Sequence, residues 1–351
     1  MKSFLFNSQV FSKKNLFLFL IFFAIIHGGA FSFADTYDHY TNVDVKTYVG
    51  LSNFDFDQHP VRRYRIIIPM LAAGVKYCLG SIFELMTPNS FSGDFPTISS
   101  FMLVNNSLMA LFAFILFKTC QSFTGKSSLI APFIGVLSVL TCRWTFLLSG
   151  TALVDSLFLV TISILILGIL KRKWWLVIAA IYIGPWAKEA FIFFIPLLYF
   201  YDRNRWSKLI FHLMLSGIIV FAFRYLFDLY IGFTFEDSLS KDLAHIDMIP
   251  SSLKRLFSLH GLYEIMSIGG FWNLFIFIGF WNKSIRKVLL NNLNWFWITM
   301  IVVVTVQALL SNELARMFYL LTPLLAVMIA IVMKELLNKY YVKEQVNEKY
   351  I

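Results

Sequence analysis

The chain has 351 residues, of which 58% are hydrophobic and 14% charged, and its mean hydropathy is +0.71. Since soluble domains carry roughly 25% charged residues, this composition excludes a water-facing globular domain and indicates an all-α polytopic membrane protein. The net charge of +10 does not indicate a nucleic-acid partner, because the Lys and Arg residues form short groups between apolar runs, as in cytoplasmic loops.

Apolar runs that suit helices in a membrane follow one another along the chain. They cover approximately residues 16–34, 66–86, 100–117, 128–149, 153–170, 174–200, 208–231, 267–281, 294–310 and 317–333. The first run follows Lys13 and Lys14 and ends near Ala34, which is also the pattern of a cleavable signal peptide. It is longer than the usual apolar stretch of about 7–15 residues in such a peptide, so a retained first helix is favoured.

The run 174–200 is predicted to be a pair of short helices. As a single crossing it would place Lys171–Lys173 and Arg203 on opposite faces, although both basic groups have the character of cytoplasmic loops. At its centre stands Gly184–Glu189 (GPWAKE), and a Gly-Pro step followed by two charges does not suit the middle of a lipid-exposed helix. We therefore expect a hairpin whose tip reaches the outer side.

The run 66–86 then begins and ends outside, and its Pro69, Lys76 and Glu84 favour an interfacial or re-entrant helix. The prediction is about ten crossings with both termini in the cytoplasm, in a bacterial inner (plasma) membrane or, alternatively, the endoplasmic reticulum. The chain is one transmembrane domain, 1–351. Its parts are a first outer loop with juxtamembrane helices (35–99), a second outer loop (232–266) and a cytoplasmic tail (334–351).

The first outer loop opens with Asp35 and Asp38 at the end of the first helix. A carboxylate at such a point can accept a proton from an attacking hydroxyl, although ordinary solvated loop acids have the same pattern. The loop also carries Asp55 and Asp57, a pair that could bind a divalent cation, but one such pair is weak evidence. We expect no metal and no cofactor. The odd number of cysteines, 3, indicates neither a disulfide framework nor a zinc site.

Arg62, Arg63 and Arg65, with Tyr64 between them, stand on the predicted outer face, against the positive-inside rule. Guanidinium groups beside a membrane suit a lipid phosphate or pyrophosphate. The alternatives are adsorption to anionic headgroups and pairing with the acids of the same loop.

Further charges stand where a lipid-facing helix does not tolerate them. Arg224 and Asp228, four residues apart, are predicted to pair with each other. The others are Asp155, Lys188, Glu189, Arg316 and, more weakly, Arg143. Each has a local explanation, such as a helix-terminal acid or an interfacial pair. Together they place both signs of charge at one level of the membrane, which predicts a shared polar cavity.

The chain contains no P-loop or Rossmann fingerprint, and its outer segments are the ones large enough to hold a site. An enzyme acting there would draw its activated group from a lipid-linked phosphate. The early Asp, the long first outer loop, the Asp that starts a later helix and the short hairpin with Lys188 resemble the GT-C superfamily of membrane glycosyltransferases. This superfamily includes protein mannosyltransferases and lipid A aminoarabinose transferases. The stretch Pro60–Pro69 (PVRRYRIIIP) is similar to a segment of poorly characterised bacterial members.

The resemblance implies a sugar transfer from a polyprenyl-phosphate donor to a glycan, lipid or protein acceptor, with membrane lipids around the protein and no nucleic acid. It implies Asp35 or Asp38 as the base, supported by Tyr64, Asp155 and Glu189. The implied phosphate ligands are Arg62, Arg63, Arg65, Lys188 and Arg316. The alternatives are a polysaccharide polymerase of the O-antigen type, a transporter or flippase, and a structural subunit whose outer charges pair with one another.

Overall fold

The computed structural model describes residues 12–37, 42–59, 62–88, 91, 93–125, 128–232, 247–311 and 313–348. These residues are almost entirely helical and contain no strand. The α-helices are α1 (Lys13–Thr36), α2 (Val43–Ser52), α3 (Ile67–Leu85), α4 (Phe95–Thr124), α5 (Ile130–Leu140), α6 (Arg143–Gly150), α7 (Asp155–Leu170), α8 (Trp174–Ala187), α9 (Trp206–Ile231), α10 (Ile249–Leu256), α11 (Leu259–Gly269), α12 (Asn273–Trp281), α13 (Lys283–Asn292), α14 (Trp295–Ser311), α15 (Leu314–Phe318) and α16 (Thr322–Glu348). Short 3₁₀ helices join several of them, and the longest is Glu189–Phe200.

Six helices of the described chain are long and apolar enough to cross a membrane. They are Lys13–Thr36, Ile67–Leu85, Phe95–Thr124, Trp206–Ile231, Leu259–Trp281 and Leu314–Tyr340. The pair α5–α6 is bent by 65° and the pair α13–α14 by 76°, and counting each pair as one span gives 8. Several long apolar helices indicate a multi-pass membrane protein, but about ten crossings are not confirmed. Helix α3, predicted to be interfacial, has the length and composition of a span, so its placement stays a prediction.

Helix α4 is the centre of the bundle, since α1, α3, α5, α6, α7 and α16 all pack against it. Two of the crossings elsewhere in the bundle depend on glycine. A Cβ at Gly135 would lie 2.5 Å from the carbonyl oxygen of Ala326, and one at Gly150 would lie 2.7 Å from that of Ala30. Small residues at such points let helix backbones approach closely in a membrane, where packing replaces the hydrophobic effect as the source of association.

The chain reverses its direction in the segment between α7 and α9. The side chain of Arg172, before α8, donates a hydrogen bond to the carbonyl oxygen of Tyr201, and the rings of Trp174 and Tyr201 are 6.0 Å apart. Helix α8 alone is about 21 Å long at 1.5 Å per residue, so its two flanks can meet only if the chain reverses. The reversal is at Lys188, whose extended backbone separates α8 from the following 3₁₀ helix. This is the geometry of the predicted hairpin, with Lys188 at its tip.

Helix α2 lies in the segment predicted to be the first outer loop and packs against α3. It begins at Asn42, whose side chain accepts a hydrogen bond from the backbone N–H of Asp44, as a typical N-cap does. Asp44 and Tyr48 are four residues apart and therefore share one face of the helix. Because Val45, Tyr48 and Leu51 are fully buried, this face is fixed against the bundle, and it carries the Asp44 carboxylate inward.

Candidate functional site

Arg316 is the centre of a buried network of ion pairs. Its Nη1 lies 2.9 Å from Asp44 Oδ2 and 2.9 Å from Glu313 Oε2, and its Nη2 lies 2.5 Å from Asp155 Oδ2. The break between α14 and α15 brings Glu313 and Arg316 to this point, and α7 begins at Asp155. Residues from three separate parts of the sequence therefore meet at Arg316, which is 9% exposed.

Two more cations complete this network, which we call the Arg316 cluster. Lys188 Nζ, at the tip of the hairpin, lies 3.0 Å from Asp155 Oδ1. Arg62 Nε lies 2.5 Å from Asp44 Oδ1. The cluster consists of Asp44, Arg62, Asp155, Lys188, Glu313 and Arg316. It therefore contains three cations and three carboxylates, and each of Asp44 and Asp155 bridges two cations.

A second network, the Glu189–Asp228 cluster, stands beside the first. Glu189 Oε2 lies 2.9 Å from Arg65 Nη2, and its Oε1 lies 2.9 Å from Arg224 Nη2. Arg224 also covers the ring of Tyr64 at 4.6 Å from the centroid. The cluster consists of Arg63, Tyr64, Arg65, Glu189, Arg224 and Asp228. It ties α9 to the hairpin tip and to the arginine segment of the first outer loop.

The predicted pairing of Arg224 with Asp228 is wrong. Asp228 instead accepts hydrogen bonds from Arg63 Nη2 at 2.6 Å and from the Tyr64 hydroxyl at 2.7 Å. Both residues therefore take partners from outside α9, because tertiary contacts offer them groups of opposite charge. Arg63 is fully buried against Asp228, so its contact with Asp228 anchors the loop.

The electrostatics of the outer-loop residues follow from these partners. Burial by itself would raise the pKa of Asp44, but the charges of Arg316 and Arg62 outweigh it and hold that pKa below its ordinary value. Burial raises the pKa of Tyr48 to about 12. Its hydroxyl accepts a hydrogen bond from Arg65 Nη1 at 2.9 Å. At neutral pH Asp44 is therefore a carboxylate and Tyr48 a neutral phenol, and α2 joins the two clusters.

A cleft of about 180 Å³ opens beside Arg316. Its lining includes the polar side chains of Asn42, Glu313 and Arg316. Helices α6, α10 and α11 contribute Trp144, Arg255 and Glu264. The Arg316 cluster is thus next to a space that a small ligand group can enter.

The structure brings most of the sequence-predicted site residues together. Arg62, Asp155, Lys188 and Arg316 belong to the Arg316 cluster, and Arg63, Tyr64, Arg65 and Glu189 belong to the Glu189–Asp228 cluster. Asp35 lies apart from both: it is exposed at the end of α1, beside a cavity of about 10 Å³ with mainly apolar walls. Asp38 lies outside the described residues.

Sequence reasoning missed Asp44, an acid of the predicted first outer loop that, among the described residues, reaches the Arg316 cluster. The signal was weak: Asn42 as an N-cap residue, followed by Asp44 and Tyr48 on one helical face. It also missed three residues that line the cleft. Trp144, Arg255 and Glu264 belong to no sequence pattern that sets them apart from other loop and helix residues.

Asp55 and Asp57, the predicted weak cation pair, are both exposed, and Asp55 accepts a hydrogen bond from Gln58 at 2.6 Å. Across the described parts of the chain, no group of three or more His, Cys, Asp or Glu residues could hold a metal ion. The chain matches no family model, no curated protein and no solved structure.

Proposed function

We propose that this protein is a GT-C-type membrane glycosyltransferase, which moves a sugar from a polyprenyl-phosphate donor to an acceptor hydroxyl at the outer face of a bacterial inner membrane. The observation that carries the proposal is the Arg316 cluster beside its cleft. Three cations from distant parts of the sequence surround the Asp44 and Asp155 carboxylates there. Keeping so many charges away from water costs free energy, which favours a functional role for them over a purely structural one.

The cations are suited to hold the phosphate of the donor. Arg316 offers a planar fork of donors and Lys188 a compact ammonium group, and both face Asp155. Glu313 is the most exposed carboxylate of the cluster, at 52%, so an entering phosphate displaces it from Arg316 most easily. Negative charge grows on the phosphate as the sugar leaves, and preorganised cations stabilise that charge in the transition state.

Asp44 is the base in this proposal, in place of Asp35; Asp38 stays a prediction. Burial by itself would raise the pKa of Asp44, but Arg316 and Arg62 hold it below its ordinary value, and a carboxylate so stabilised is a weak base. A bound phosphate adds negative charge nearby and shares the same cations, both of which raise the pKa of Asp44. Donor binding therefore increases the basicity of Asp44 at the moment when a base is needed.

The reaction is a single displacement. The acceptor oxygen forms a bond to the anomeric carbon while the bond from that carbon to the phosphate oxygen breaks, and its electron pair leaves with polyprenyl phosphate. The hydroxyl proton passes to Asp44. One displacement inverts the anomeric configuration and leaves no covalent enzyme intermediate.

The test is sugar transfer by the purified protein in proteoliposomes that contain polyprenyl-phosphate mannose, glucose or aminoarabinose. Asp44→Asn is expected to lower kcat by about 100-fold or more, the usual contribution of a general base, while donor affinity is retained. Asp57→Asn, which removes an exposed carboxylate from the same loop, is the matched control and should transfer normally.

Absence of transfer by the wild type from every donor overturns the glycosyltransferase proposal. Full activity of Asp44→Asn, or retention of configuration in the product, overturns the assignment of Asp44. A product that grows by whole lipid-linked oligosaccharides favours the polysaccharide polymerase instead.

A further inference from the structure

The lining of the cleft beside Arg316 is of mixed chemistry. Trp144, half-buried on α6, lines it together with Leu147 and Leu153, so part of the lining is aromatic and aliphatic. Asn42, Glu264 and Arg316 supply amide, carboxylate and guanidinium groups. A ligand that fits must itself have an apolar face and a polar edge.

In the part of the chain that the structure describes, Glu264 has partners for one of its two carboxylate oxygens but not for the other. Its Oε1 pairs with Arg255 Nη2 and lies 3.2 Å from His260 Nε2. Its Oε2 is buried and has no hydrogen-bond partner among the described residues, and the same holds for Arg316 Nε. A buried acceptor and a buried donor without partners are unfavourable, and here they belong to two residues that line one cleft. The cleft is therefore lined by one carboxylate and one guanidinium group of these two residues, and hydroxyls, which both donate and accept, suit such a pair of side chains.

Size and charge narrow the class of ligand. Drug-sized molecules occupy about 300–1,000 Å³, whereas the cleft has about 180 Å³, equal to about six water molecules at ~30 Å³ each. Two carboxylates, Glu264 and Glu313, and two guanidinium groups, Arg255 and Arg316, line the cleft, so their formal charges cancel. A neutral ligand suits this lining, and the phosphate is assigned to Lys188 and Arg316. A single neutral ring with several hydroxyls fits the remaining space.

We infer that this cleft holds one sugar ring, with Trp144 against its C–H face and Glu264 on its hydroxyls, and that these two residues determine which sugar is accepted. The inference rests on the proposed function and deepens it: the Arg316 cluster binds the phosphate, and Trp144 and Glu264 bind the sugar. The ring belongs either to the donor lipid or to the end of an acceptor glycan.

Binding measurements in nanodiscs distinguish the contribution of the phosphate to donor affinity from that of the sugar. The probes are unmodified polyprenyl phosphate and the same lipid carrying mannose, glucose, galactose or aminoarabinose. For the wild type, at least one sugar is expected to strengthen binding over the bare lipid phosphate. Trp144→Ala and Glu264→Gln should remove that advantage, by about tenfold for one lost anchor, and leave binding of the bare lipid phosphate unchanged. Trp144→Phe keeps an aromatic face and should retain part of the advantage.

Two controls match the variants: Trp281→Ala removes a Trp that is 91% exposed, and Glu84→Gln neutralises an exposed acid on α3. If the donor advantage survives in Trp144→Ala and Glu264→Gln but the acceptor KM rises about tenfold, the ring is that of the acceptor. If both variants keep the donor advantage and the acceptor KM, the sugar site is refuted while the proposed function stands. If the wild type does not bind even the bare lipid phosphate, the proposed function itself fails.

Discussion

Asp155 is the residue on which the Arg316 cluster depends most for stability, because one buried carboxylate contacts both Lys188 and Arg316. Asp155→Ala leaves two buried cations without their main partner, and breaking a buried pair in this way destabilises a protein by about 3–5 kcal/mol. We expect a large fall in the thermal unfolding temperature of the detergent-solubilised protein.

Glu313→Gln is the matched control for this variant, since Glu313 contacts the same guanidinium group but is 52% exposed. Its loss should change the free energy of unfolding by about 1 kcal/mol or less. Equal losses for the two variants would show that burial does not govern the strength of these pairs.

Asp44 gives the cluster a pH dependence whose sign follows from its partners. Burial opposes ionisation, but Arg316 and Arg62 lower the pKa of Asp44 in the folded protein below its ordinary value of 3.8. The carboxylate therefore contributes stability that is complete above pH 3.8 and declines as the pH falls through the folded-state pKa. The difference in unfolding free energy between wild type and Asp44→Asn should be largest near neutral pH and shrink on acidification. A difference that grows with falling pH would contradict this assignment.

At the scale of elements, the junction between α6 and α7 is held by one side chain of α4. The Nδ2 of Asn105 donates to the carbonyl oxygens of Thr151 and Leu153, each at 3.0 Å, and its Oδ1 accepts from the Ser156 hydroxyl at 2.5 Å. The next element begins at Asp155. Asn105 is therefore a positioning residue for the Arg316 cluster.

Asn105→Leu keeps the approximate volume but removes the partners of the Leu153 carbonyl oxygen and of the Ser156 hydroxyl, at about 1–3 kcal/mol each. The carbonyl oxygen of Thr151 keeps the backbone N–H of Leu153 as a donor. We expect a lower unfolding temperature, because these groups lose their partners. We also expect a fall in kcat that exceeds any change in donor affinity, because Asp155, the first residue of α7, shifts within the Arg316 cluster. Ser107→Ala, on the same helix, removes only a hydroxyl that bonds the carbonyl oxygen of Leu103, and should preserve both quantities. A stability loss without any change in kcat would show that Asn105 serves the fold alone.

At the scale of the whole molecule, the features that could be predicted from the sequence are those that depend on local composition. The helical class and the apolar spans follow from hydropathy, and the hairpin with Lys188 at its tip follows from a Gly-Pro step and two basic groups. Contacts between distant segments could not be predicted in this way. Asp44 is an ordinary loop acid until α2 packs inward. Arg224 and Asp228 have ideal spacing for a local pair, but they take the tertiary partners Glu189 and Arg63 instead.

The same reasoning predicts how the bundle sits in the membrane. The flanks of the hairpin lie together, so Lys171 and Asn204 should face one side, which the positive-inside rule makes the cytoplasm. The first outer loop, with Asp57, should face the other. Single cysteines at these three exposed positions, in a background where the exposed Cys78 is replaced by Ser, can be labelled with a membrane-impermeant maleimide in intact spheroplasts and in inverted vesicles.

Lys171→Cys and Asn204→Cys should react in inverted vesicles, and Asp57→Cys in spheroplasts; the Cys78→Ser background, which keeps the buried Cys120 and Cys142, sets the baseline. Labelling of Lys171→Cys and Asn204→Cys from opposite sides would contradict the hairpin. Labelling of all three from the cytoplasmic side would place the Arg316 cluster where nucleotide-activated donors are available, and the reason to expect a lipid-phosphate donor would be lost.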